Sequence, residues 1–232
     1  MALSLFVKSD DSYLFTKLWI PKKSRGEGLV FCHGWGGQAQ YDDLLALLAD
    51  QGYYALRLDQ RGYGESTGEA DLSLWAHDMV VCAKALKGEV GRVWAAGQST
   101  GGAMSLIAAA AHECFAGAVS MAPFLSLEGI IRDNSNARTI LEGRFGPLQE
   151  KHFRAVDTLN ITRKLRKPVF IIHGTADQSV PFAHGTLIHR QLESNAQFLA
   201  VDGANHHLTN VNRSPVFQEI IGWLGRQSNR DG

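Results

Sequence analysis

The chain has 232 residues, 45% of them hydrophobic, and its 23 Lys and Arg balance 23 Asp and Glu. That length and apolar content fit one folded domain with a large core. The charge balance excludes the broad basic field that draws nucleic acid or an anionic membrane, which leaves a small molecule as the simpler partner. No basic segment opens the chain, and Lys8, Asp10 and Asp11 break the first apolar run, so no export signal is expected. Apolar stretches such as residues 106–111 fall far short of the roughly 18 residues of a membrane span. Cys32, Cys82 and Cys114 stand in apolar surroundings without metal-ligand spacing, which predicts reduced, buried thiols and a cytoplasmic location.

Residues 3–7 and 13–20 are short apolar runs parted by Ser9, Asp10, Asp11 and Ser12, turn chemistry that predicts a β-hairpin ending at Pro21. Buried runs follow at 29–32, 53–58, 92–96, 116–121, 169–172 and 198–201. Between them, apolar residues recur every three to four positions, at Leu44, Leu45, Leu47 and Leu48, at Leu72, Trp75, Met79, Ala83 and Leu86, and through 103–111, 182–192 and 216–224. Strands apolar on both faces and separated by helices imply a mostly parallel, doubly wound sheet of about eight strands, with the hairpin at one edge. Residues 124–167, between Pro123 and Pro168, contain no obvious strand and predict a small helical cap over the sheet's carboxyl edge. With no repeat or linker, 1–232 reads as a single domain.

Gly97, Gln98, Ser99, Thr100 and Gly101 match G-x-S-x-G, the elbow whose small flanks permit a sharp strand-to-helix turn exposing a serine hydroxyl. Gly64, Glu65, Ser66, Thr67 and Gly68 match it too, so context must decide. Ser99 follows a buried run and opens a small-residue helix, whereas Ser66 lies in a glycine-rich polar loop. Ser99 is therefore the expected nucleophile. It needs a base, and the base needs a carboxylate to fix its tautomer. Asp177 lies just beyond the run 169–172, and His206 just beyond 198–201, 29 residues later. His207 is the competing base. Asp59, after the run 53–58, is the rival carboxylate, its other role being a partner for Arg61. Asp202 better serves the turn with Gly203. The other histidines read as structural or exposed, with His33 and His173 set apart by their places at strand ends. Two backbone N–H groups should face the charge that develops on the substrate, those of Thr100 and of Trp35, the latter in the loop His33, Gly34, Trp35, Gly36, Gly37. The Trp35 indole, Phe124, Leu125 and Ile130 are candidate walls of a substrate pocket.

Five stretches in order carry a resemblance: His33 to Gly37; Asp59, Gln60, Arg61, Gly62, Tyr63, Gly64, Glu65 and Ser66; Gly97 to Gly102; Pro168 to Pro181; and Gly203, Ala204, Asn205, His206. They resemble the α/β-hydrolase superfamily over nearly the whole chain, in particular its small esterases, monoacylglycerol-lipase-like and serine-aminopeptidase-like enzymes. The resemblance implies Ser99 as nucleophile, Asp177 as triad acid, His206 as base, and the Trp35 and Thr100 amides as oxyanion donors. Gln98 stands where relatives often carry histidine, and the insert is shorter than many lids. These departures leave the triad intact and the substrate open. Serine as nucleophile separates the chain from relatives that use aspartate or cysteine there. It implies cleavage of carboxylic esters of small or medium acyl groups, without metal or dissociable cofactor. Peptide, amide or thioester cleavage is the alternative within the fold, and a non-catalytic binding protein on the same fold is the alternative from another class. The insert's nine Lys or Arg against five Asp or Glu could draw an anionic acyl group, although Arg163, Lys164, Arg166 and Lys167 fit better the cationic last turn of a helix.

Overall fold

In the computed structural model, which describes residues 2–37 and 41–228, the buried runs form eight strands. They are β1 (Ala2–Ser9), β2 (Ser12–Trp19), β3 (Glu27–Cys32), β4 (Tyr53–Leu58), β5 (Arg92–Gln98), β6 (Ala118–Met121), β7 (Val169–Gly174) and β8 (Ala196–Val201). The sheet order is β1-β2-β4-β3-β5-β6-β7-β8. β1 and β2 pair antiparallel, as do β2 and β4, and every other pairing is parallel. This is the mostly parallel sheet with an edge hairpin that the chain's pattern implies. The two-residue hairpin turn relies on Asp10 at φ 51°, a conformation that aspartate tolerates better than most residues.

Nine α-helices lie among the described residues: α1 (Asp42–Asp50), α2 (Trp75–Leu86), α3 (Thr100–Ala111), α4 (Leu127–Asp133), α5 (Ala137–Phe145), α6 (Glu150–Ala155), α7 (Thr158–Ile161), α8 (Phe182–Leu192) and α9 (Ser214–Ser228). Alternation along each strand divides the core between the two faces of the sheet. Leu29 and Phe31 of β3 face Leu44, Leu45 and Leu48 of α1 and Phe217, Ile220 and Trp223 of α9. Val30 and Cys32 face the side of α2 and α3, with Trp75, Met79, Met104 and Leu106. Each such side chain contributes about 1.5–3 kcal/mol by leaving water.

Residues 124–167 hold α4 to α7 and no strand, and their apolar side chains do not form a separate unit. Phe124, Leu127, Ile130, Leu141 and Val156 are fully buried in the same core as α2 and α3. Of the cationic run before Pro168, Arg163 and Lys164 lie in the last turn of a 3-10 helix, Thr162–Lys164, that directly follows the single turn of α7, and Arg166 and Lys167 lie beyond it. Lys167 instead donates to the Ala109 and His112 carbonyls at 3.0 and 2.8 Å, so its charge meets the negative end of α3.

From β3 the winding goes one way to β4 and the other way to β5. Loops leaving the carboxyl ends of β3 and β5 therefore diverge and open a crevice there.

Candidate active site

Ser99 sits between the end of β5 and the start of α3 with φ 58° and ψ −120°. A side-chain-bearing residue in that region costs on the order of 1–3 kcal/mol and persists only where its surroundings enforce it. The surroundings here are backbone. A Cβ on Gly97 would come within 2.2 Å of the Gly101 carbonyl oxygen, and one on Gly101 within 2.1 Å of the Cys32 carbonyl oxygen. The Ser99 N–H donates to the Met121 carbonyl at 2.8 Å. Thr100, fully buried, is the first residue of α3, where amides lack partners within the helix and the helix dipole is positive.

The loop after β3 is set by His33. Its Nε2 accepts from the Gln60 N–H at 3.0 Å, so the proton lies on Nδ1, which donates to the Gly34 carbonyl at 2.6 Å. Burial pushes the His33 imidazolium down to about 4, against the opposing pull of the Gly34 carbonyl, and keeps the ring neutral. The Gly34 carbonyl and the Trp35 N–H belong to one peptide plane, so His33 orients both. Gln98 ties the elbow to the loop after β8, donating Nε2–H to the His206 carbonyl at 3.1 Å.

That loop and the one after β7 bring the expected acid and base together. His206 Nδ1 lies 2.7 Å from Asp177 Oδ2. Asp177 Oδ1 accepts the Ser179 and Val180 backbone N–H groups at 2.8 and 2.9 Å. Burial alone would raise the Asp177 carboxyl, but hydrogen bonds from His173, His206 and Val180 outweigh it and hold the group well below the usual carboxylate range. His173 Nε2 is 2.9 Å from the Val180 carbonyl and 3.4 Å from Asp177 Oδ2. Its place at the end of β7 was the only signal in the sequence that it belongs to this group. His207 does not reach Asp177. Its ring packs 4.7 Å from that of His206, its carbonyl accepts Tyr41 Oη at 3.3 Å, and its Nδ1 is buried without a partner among the described residues.

The second G-x-S-x-G stretch is a strap. Ser66 Oγ donates to the Asp59 carbonyl at 2.6 Å and accepts the Phe15 N–H at 2.8 Å, which pins the loop to β2. Asp59 lies 3.5 Å from Arg57 rather than against Arg61, as expected from sequence. Arg61 reaches back to α2 and makes a two-pronged contact with the fully buried Asp78, Nε–Oδ2 at 2.8 Å and Nη2–Oδ1 at 2.5 Å. Asp202 pairs with Thr175 at its turn.

A cavity of 320 Å³ is lined by Gly34, Trp35, Gly36, Gly37, Gln98, Ser99, His206 and His207. Trp35 is one wall of this cavity. Phe124 and Ile130 are not, being fully buried in the core, and Leu125 packs against that core from outside. The remaining walls are Asn134, Ile140 and Ser179. Asn134 donates to the Ser179 carbonyl at 3.0 Å, joining the insert to the loop that carries Asp177. Ser99 and His206, whose imidazole is braced by Asp177, share one cavity, and a serine hydroxyl beside an imidazole held in that way can carry out acyl transfer.

The pattern that defines the prolyl oligopeptidase family matches residues 39–231. The chain is 22% identical over 271 aligned positions to the non-heme chloroperoxidase of Streptomyces lividans, covering 93% of this chain and 97% of that protein. It is 28% identical to the monoglyceride lipase of Rattus norvegicus over 51% of this chain, spanning 42% of the lipase. Among solved structures, Est1E of Butyrivibrio proteoclasticus, determined with ferulic acid bound, superimposes with a TM-score of 0.81 at 21% identity, over 97% of this chain and all of that one. At that identity the likeness is one of fold.

Proposed function

Because this chain belongs to the prolyl oligopeptidase family, within the α/β-hydrolase superfamily, we propose that its cavity is the active site of a serine hydrolase acting on carboxylic esters of small or medium acyl groups. The observation that carries this reading is the 2.7 Å contact between His206 Nδ1 and Asp177, in a cavity that His206 shares with the elbow serine Ser99. Asp177 keeps the Nδ1 proton in place, which leaves Nε2 as the acceptor. Ser99 Oγ attacks the acyl carbon and its proton passes to His206 Nε2. The charge on the former carbonyl oxygen meets the Thr100 and Trp35 amides. As the adduct collapses, the bond to the leaving oxygen breaks, that oxygen takes the proton from His206, and the acyl group stays on Ser99. Water, deprotonated by the same nitrogen, then releases the acid. The scheme calls for no metal or cofactor.

Among the described residues, no Lys, Arg, Asp or Glu lines this cavity. That favours uncharged substrates over the anionic acyl groups that the insert's basic residues suggested. The family match favours peptide or amide cleavage as the second reading. We place the protein in the cytoplasm on its three buried free cysteines; among the described residues no helix is long and apolar enough to cross a membrane.

Reaction with a fluorophosphonate, followed by mass spectrometry of the modified peptide, tests the assignment. Labelling that disappears in Ser99→Ala and persists in Ser66→Ala is the expected result. Graded p-nitrophenyl esters against a peptide p-nitroanilide then separate esterase from peptidase. An unlabelled wild-type protein refutes the hydrolase and points to a binding protein.

A further inference from the structure

We propose that Tyr63 is a positioning residue for the oxyanion loop, and that Arg144 on α5 holds it there, coupling the helix that lines the cavity to the Trp35 amide. The proposal rests on reading Trp35 as an oxyanion donor. Trp35 lies between two peptide planes. His33 fixes the first through the Gly34 carbonyl. Tyr63 fixes the second, donating Oη–H to the Trp35 carbonyl at 2.9 Å. Elsewhere in the loop the Gly37 N–H donates to the Gly34 carbonyl at 3.1 Å and the Trp35 ring is centred 6.5 Å from that of Phe124, whereas a Cβ on Gly36, the residue that shares the second plane, would find no atom within 4 Å. The next residue, Gly37, takes φ 68° and packs so closely on Tyr63 that a Cβ there would lie 2.4 Å from ring carbon Cδ1. Tyr63 is therefore both the anchor and the backstop of the loop.

The ring is held on all sides. It is 6% exposed, with the rings of His33, Trp75 and Phe145 centred 4.8, 5.5 and 6.4 Å away. The Arg144 guanidinium lies over its face at 3.8 Å and also donates to the Gly62 carbonyl, a cation-π contact with a fixed direction. Arg144 stands four residues after Ile140 on α5, and residues so spaced share a helix face. Ile140 lines the cavity. A substrate that presses on Ile140 thus touches the helix whose next turn clamps Tyr63, and through it the Trp35 carbonyl.

Tyr63→Phe keeps the ring and its packing and removes only the hydroxyl. The expected result is a fall in kcat of about tenfold, the worth of one net hydrogen bond, with KM changed less than about twofold. Affinity for a trifluoromethyl ketone, which forms a tetrahedral oxyanion on serine, should fall by the same factor as kcat, an effect that general loosening of the fold would not match. Arg144→Met should act in the same direction, and Arg138→Met, at an exposed position of α5, should not. Amide hydrogen exchange at Trp35 and Gly36, followed by NMR, reads the loop without any turnover and should quicken in both Tyr63→Phe and Arg144→Met. Unchanged exchange at those two amides overturns the proposal whatever the activity does, as does an unchanged kcat in Tyr63→Phe. A wild type that cleaves neither ester nor peptide p-nitroanilide refutes the hydrolase reading instead, and the exchange rates still decide whether Tyr63 and Arg144 hold the loop.

Discussion

Replacing Asp177 by asparagine alters one atom of the proposed triad and leaves its shape alone. In the wild type every neighbour of the carboxylate is an N–H: Ser179 and Val180 on Oδ1, His206 at 2.7 Å and His173 at 3.4 Å on Oδ2. Asparagine must present an NH2 group on one side. The two backbone donors cannot change tautomer, so the amide oxygen stays with them and the NH2 meets His206 Nδ1. His206 relieves the clash by moving its proton to Nε2, and then it cannot accept the proton of Ser99. A change of this kind costs about 10⁴-fold in kcat, or about 5 kcal/mol. The expected outcome is that loss, measured with p-nitrophenyl butyrate, alongside a cooperative melting transition only several degrees lower. Asp59→Asn, which touches the rival carboxylate, should keep most of its activity. An Asp177→Asn variant with more than a tenth of the wild-type kcat would refute the argument and leave Asp177 with only a structural role.

Ser66→Ala leaves the Asp59 carbonyl and the Phe15 N–H without their partner, and should cost about 1–3 kcal/mol in urea denaturation with kcat unchanged. A large loss of activity without loss of stability would reverse the roles of the two serines. His173→Asn removes the Nε2 donor near Asp177, while His173→Gln can restore an N–H close to that place. Asp177 is held below its ordinary value of 3.8, so the stability it contributes is present above that value and is lost as pH falls below it toward the folded-state value. His173→Asn should therefore be less stable than wild type at about pH 7 and lose less on going to about pH 3, with His173→Gln near wild type. Equal urea midpoints for all three proteins across that interval would show that His173 does not act on Asp177. With no charged wall to pair it, an acyl chain ending in carboxylate should be hydrolysed at least about tenfold less efficiently than the neutral butyrate ester; comparison with p-nitrophenyl hydrogen succinate measures this, and parity would mean that a cation reaches the cavity.

The parts of this molecule that period and punctuation control were readable in advance. β4 at Tyr53–Leu58 and α8 at Phe182–Leu192 fall on the residues their patterns indicate, because a buried strand and an amphipathic helix each write their own spacing. What side chains do across the fold was not readable. Phe124 and Ile130 have the composition of pocket walls, yet they point into the core while Asn134 and Ile140, a few positions on, line the cavity. Arg61 lies two residues from Asp59 but its long side chain reaches Asp78 on α2. The choice between His206 and His207 rests on a rotation of one residue in a loop. No period marks that rotation, and the structure sets His206 against Asp177 and His207 beside Tyr41.

The glycines around Ser99 show why one of two identical patterns could form an elbow and the other could not. At Ser99 the need for glycine is imposed by distant backbone: Gly101 lies against the carbonyls of Cys32 and His33, and Gly102 against that of Met121. α3 is therefore seated directly on the ends of β3 and β6. That contact places the first amide of α3 beside the loop that carries Trp35, and any side chain at Gly101 would drive the two apart. Around Ser66, Gly64 and Gly68 take φ 53° and 84° and lie against the side chains of Asp59 and Ser12. Their glycines serve local turns, no helix follows directly, and the serine hydroxyl is consumed by backbone. The same five-residue pattern thus has two physical causes, and only at Ser99 is it the close approach of helix to sheet.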